Sequence, residues 1–198
     1  ENFHTPVVTR GLRFGMVLFI ASEVMFFAAF FWAFFNASIM PTEVMGFQWP
    51  PADVEAMHTW GLPLLNTIIL LTSGVTVTWA HHALKHDNQK HLIWGLSLTV
   101  LLSVIFLCIQ SYEYADAAFG FRDGIYSSTF YMATGFHGFH VTVGAIFLGV
   151  CLVRAKRGHF KPSQHIGFEA AAWYWHFVDV VWLFLFIWVY WWGGASAH

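Results

Sequence analysis

Three histidines and two acids are the residues of this sequence whose type and spacing could carry chemistry. His137 and His140 stand at i and i+3 within GFHGFH, and His176 and Asp179 have the same spacing within WHFVD, with Glu169 two turns earlier. Residues three apart share a helix face, so each pair can act together. Three histidines and two acids are a possible metal-ligand set, because helical bundles build metal sites from such groups. A dinuclear carboxylate site, however, needs Glu-x-x-His on two helices and several further Glu, and this sequence has neither. Haem attachment through CxxCH is also absent. A proton relay through Glu23, His176 and Asp179, as in a stand-alone transporter or channel, is a third chemistry that intramembrane polar residues support. The pattern is read instead as interhelical hydrogen bonding, in which polar side chains hold apolar helices together; the site is expected to contain no metal and no catalytic residue.

Glu23 is the most demanding position. It lies nine residues into an uninterrupted apolar run with no basic residue within a turn. A carboxylate near the middle of a bilayer costs several kcal/mol unless it is protonated, paired or solvated. Its presence points to proton handling, to contact with lipid or a ligand, or to a partner helix.

The elements that must position these residues are membrane-spanning. Of 198 residues, 58% are hydrophobic and only 10% charged, against about 25% charged in an average soluble domain. Nine Lys and Arg with eleven Asp and Glu cannot coat a soluble core of this size, so lipid must solvate much of the surface. The net charge of -2 and the lack of a basic run exclude nucleic acid as a partner. Cys108 and Cys151 lie apart in apolar stretches and are read as small buried residues.

Crossing about 30 Å of hydrocarbon takes about 20 apolar residues, and five such runs occur, approximately 14–35, 62–80, 92–111, 126–153 and 169–192. Their continuity favours helices over a barrel, so the fold class is all-α, a polytopic helical bundle in one domain. Gly135, Gly138, Gly144 and Gly149 give the fourth run a small-residue face suited to close packing. The GFQWPP segment around Trp49 reads as a rigid surface cap. Arg10, Arg13, Lys85, Lys90, Arg154, Lys156, Arg157 and Lys161 fall on one side, and only Arg122 on the other. The positive-inside rule therefore puts the N-terminus inside and the C-terminus outside. Glu43, Asp53, Glu55, Glu113, Asp116 and Asp123 are assigned to the outer loops.

Four long strings carry a resemblance that covers the chain in order: RFGMVLFIASEVMFFAAFFWAFF, PLLNTIILLTSGVTVTWAHHAL, STFYMATGFHGFHVTVGAIFL and GFEAAAWYWHFVDVVWLFLFIWVYWWG. Together they resemble the subunit III family of cytochrome c oxidase. Members of that family usually have seven helices, two of them set apart from five by a lipid-filled cleft. This sequence resembles the five-helix part, and the family's two N-terminal helices are absent from it, which allows for a separate chain that carries them.

The resemblance implies an accessory subunit of an aa3-type oxidase with no redox centre of its own. Haem a, haem a3 and copper are then expected on subunits I and II, which pass electrons from cytochrome c to oxygen and pump protons. Subunit III packs on subunit I, stabilises it and holds phospholipid. The resemblance also implies that Glu23, in the SEV motif, is a carbodiimide-reactive acid beside the lipid cleft and a proposed oxygen route. By the same resemblance Arg154 contacts a phospholipid headgroup and Trp32 lines the cleft. A quinol oxidase with a related subunit is the alternative. A bacterial plasma membrane is the expected location, with the mitochondrial inner membrane as the alternative.

Overall fold

Helices α1 and α3 start where a side chain satisfies a first-turn N–H group, not where hydropathy begins. The computed structural model describes residues 5–43, 46–51, 54, 57–162 and 164–195. Helix α1 (Pro6–Ile39) is capped by the Thr5 hydroxyl, which accepts from Val8 N at 3.3 Å, and Pro6 occupies the first turn, where a missing N–H is harmless. It therefore begins eight residues before the apolar run. Helix α2 (Leu62–Lys85) also has a proline in its first turn, and α3 (Gln89–Asp116) is capped by the side-chain Oδ1 of Asn88, which accepts from His91 N. Helices α4 (Ile125–Lys156) and α5 (Ile166–Leu185) follow, and α5 runs into a π-helical segment, Phe186–Trp192. All five are long and apolar enough to cross a membrane, and no β-strand forms among the described residues.

Successive helices alternate in direction. Thr76 of α2 meets Thr99 of α3 hydroxyl to hydroxyl at 2.7 Å, and Tyr114 of α3 donates to Thr134 of α4 at 2.7 Å. Because the direction alternates, the ends that carry Arg13, Lys85, Lys90, Arg154 and Lys156 all lie at one end of the bundle, which is called the basic end below.

Glycine sets the distance of three crossings. A Cβ at Gly95 would stand 2.8 Å from Ala80 Cβ and one at Gly144 would stand 2.8 Å from the Trp175 ring, while one at Gly74 would meet the Asp179 carboxylate. Of the four glycines read as a packing face on α4, only Gly144 makes such an approach. Nothing lies within 4 Å of a Cβ at Gly135, Gly138 or Gly149, because those positions point away from the neighbouring helices.

The core centres on α5, whose Trp175 and Trp182 are fully buried. Their indole N–H groups donate to Ser73 Oγ and Thr67 Oγ1 of α2, both at 2.9 Å. Helix α1 is peripheral, packing chiefly on α4 and α5 and presenting Leu18, Met25 and Trp32 outward.

Two sequence expectations are corrected. Glu113 is not in an outer loop: α3 continues to Asp116 and carries its side chain into the bundle, 4% exposed. Trp49 is not on a surface cap but buried, its ring edge-on to Phe34 at 5.4 Å and 5.3 Å from Tyr126. Asp53 and Glu55 lie outside the described residues.

Candidate functional site

Glu23 finds its partner on a helix more than a hundred residues away. Its Oε2 lies 2.7 Å from His140 Nε2, which bridges α1 and α4. The imidazole is oriented from behind, because Nδ1 donates to the Phe136 carbonyl one turn back at 2.7 Å. Nδ1 is therefore the donor in that bond, which leaves Nε2 to face the carboxyl oxygen of Glu23. Phe26, Phe27, Phe139 and Tyr174 surround the imidazole, and such an apolar shell strengthens any hydrogen bond inside it.

His137, three residues earlier, faces elsewhere. It is 1% exposed, packs between Phe106 and Trp182, and donates from Nε2 to the Val178 carbonyl of α5 at 3.2 Å. His176 and Asp179 make a third unit against α2. His176 Nδ1 lies 3.5 Å from Asp179 Oδ2, and its Nε2 lies 3.1 Å from Thr78 Oγ1, with Gly74 leaving the space for the carboxylate. Glu169 joins none of these. It accepts from Arg13 of α1 at 2.9 Å, two turns closer to the basic end. The five residues read as one polar network thus form separate bridges, which tie α4 to α1, α4 to α5, α5 to α2 and α5 to α1. Among the described residues no three His, Cys, Asp or Glu side chains converge as metal ligands would.

Arg154 closes α4 at the basic end. Its guanidinium lies 4.8 Å above the Phe160 ring, and Gly167 gives it room, since a Cβ there would stand 3.2 Å from Nη1. It lines a cavity of about 510 Å³ with Thr9, Arg13, His159 and Gln164. Arg13, Ile166, Gly167 and Glu169 are shared with a second cavity of about 490 Å³, an apolar furrow between α1 and α5 floored by Met16, Phe19 and Trp173. The two adjoin through these residues as a cleft whose polar part holds Arg154, His159 and the Arg13–Glu169 pair and whose other part is apolar. Trp32, 75% exposed, sits near the opposite end of α1 and does not line it.

Sequence reasoning missed Arg13–Glu169 and the two tryptophan bonds. The signal for the latter was present: Trp175 and Trp182 are seven apart, two turns of one face, opposite a hydroxyl-bearing stripe on α2.

Five apolar spans with polar groups paired across helix interfaces define an integral membrane protein of the helical-bundle class. A family model described as cytochrome c oxidase subunit III matches residues 1–194. The chain is 60% identical over 195 residues to cytochrome c oxidase subunit 3 of Prototheca wickerhamii, a match that covers 98% of this chain and 74% of the relative. Over the same shares of each it is 58% identical to the subunit 3 of Drosophila melanogaster and 56% to that of Gallus gallus. The chain belongs to the cytochrome c oxidase subunit III family, and is thus a subunit of a respiratory-chain oxidoreductase complex, assembled with other oxidase subunits.

Proposed function

We propose that the chain is an accessory, non-redox subunit of an aa3-type oxidase, which holds phospholipid and steadies the proton-pumping catalytic subunit. The observation that carries this reading is the pair of adjoining cavities at the basic end. A phosphate ester suits the guanidinium group of Arg154, with His159 beside it, Arg13 being paired with Glu169, and an acyl chain suits the furrow between α1 and α5. The buried histidines support the absence of a redox centre here: both His140 nitrogens are engaged, and His137 is enclosed between rings with Nε2 on a carbonyl. Haem a, haem a3 and copper then belong to subunits I and II. With the basic end in the inner compartment, the N-terminus is inside and the C-terminus outside.

The test uses the purified oxidase complex carrying Arg154→Ala or Arg154→Lys. Native mass spectrometry is expected to show one phospholipid fewer in the alanine variant, retention in the lysine variant, and earlier loss of activity during turnover only in the former. An unchanged lipid count and unchanged activity lifetime in R154A overturn the reading.

A further inference from the structure

Glu113 is a buried acid that the cleft and the helix bridges leave unused. It stands on the last turn of α3, 4% exposed, and neither carboxyl oxygen has a hydrogen-bond partner among the described residues. Among the described residues no cationic side chain forms an ion pair with it. The Tyr190 hydroxyl, from the π-helical segment, approaches the carboxyl without closing a hydrogen bond of good geometry.

That hydroxyl begins a chain of polar groups across three elements. It accepts from Gln110 Nε2 at 3.3 Å, and Gln110 Oε1 accepts from Asn66 Nδ2 of α2 at 3.4 Å. Asn66 is fully buried, and its Oδ1 is again without a partner. The chain Asn66–Gln110–Tyr190–Glu113 therefore ends in surplus acceptors on both sides, and both of its internal bonds are at the long end of the range for N–H···O.

The chemistry of the surplus selects the ligand. Three oxygens have no hydrogen-bond partner of good geometry among the described residues, the Tyr190 hydroxyl being the nearest donor to two of them, and a buried polar atom left so is destabilising. What answers them must be small and must donate more than one hydrogen bond, and a buried water, which makes about three hydrogen bonds, does both. The π-helical segment contributes the geometry. A wider turn advances the chain less per residue, which keeps Tyr190 on the bundle-facing side below Trp182, with its carbonyl accepting from Thr59 Oγ1 at 2.7 Å.

We propose that Glu113, Tyr190 and Asn66 frame an internal hydration site, with water donating to the Glu113 carboxyl and to Asn66 Oδ1. The site lies near the end of the bundle opposite Arg154 and is independent of the lipid reading.

The test is a structure of the intact oxidase at a resolution that shows ordered water, for the wild type, Glu113→Gln and Glu113→Leu. Density within hydrogen-bond distance of the Glu113 carboxyl and of Asn66 Oδ1 is expected in the wild type. E113Q, which keeps an acceptor and the side-chain shape, retains it, and E113L loses it at the residue 113 end. Because E113L can fail to assemble, the wild type and E113Q decide between them. A dry site in both, with the Asn66 amide reversed or the Tyr190 hydroxyl closed onto Glu113, overturns the proposal. So does an anomalous signal at the site after exchange into rubidium salt, which identifies a cation.

Discussion

Glu23 Oε2 and His140 Nε2 form one hydrogen-bonded unit across α1 and α4, and substitutions of Glu23 are expected to differ by what they leave behind. Glu23→Gln keeps a donor for the imidazole nitrogen, whereas Glu23→Ala strands a mostly buried ring at a cost of about 1–3 kcal/mol. Thermal dissociation of the subunit from the purified oxidase is the measurement, with E23A expected to leave at a lower temperature than E23Q. This much of the site was half legible. A lone acid in mid-span announced that a partner was needed, and GFHGFH offered two histidines. Residues three apart in a helix differ in direction by about 60°, enough to send His140 to α1 and His137 to α5. The choice between them depends on how α1 crosses α4, which no local pattern encodes.

Between elements, glycine placement and tryptophan bonds decide which helices approach closely. Gly144→Ala forces a methyl against the rigid Trp175 ring and is expected to cost about 1–3 kcal/mol. Gly138→Ala, with open space at its Cβ position, should stay within about 0.5 kcal/mol of the parent. Equal midpoints for the two variants in the thermal assay contradict this account. A double-mutant cycle on Ser73→Ala and Trp175→Phe should return a coupling of about 0.6 to 1.5 kcal/mol, the range for hydrogen bonds between membrane helices. The four α4 glycines were visible as a set, yet only one lies at a contact, because glycine spacing records permission to pack and not the neighbour that uses it. Hydropathy misplaced the start of α1 by eight residues, because Thr5 and Pro6 begin the helix outside its apolar run. The extension of α3 to Asp116 carried Glu113 out of the loop where its charge alone had placed it.

At the scale of the whole molecule, the number of spans and their alternation were readable from run length, and the clustering of basic residues at one end follows from that alternation. Single cysteines placed at Lys161 and at Phe47, both exposed, are expected to react with an impermeant maleimide from opposite faces of sealed vesicles. What run length does not encode is adjacency. Helix α1 precedes α2 in the chain but packs chiefly on α4 and α5, so this span has to wait for two that are made later. During synthesis it resides in the bilayer with Glu23 unanswered until His140 has been translated and inserted. A ribosome-bound chain truncated before α4 should therefore yield α1 free of crosslinks to α2 and α3. One extended through α5 should capture it with a photoreactive residue placed at Phe27.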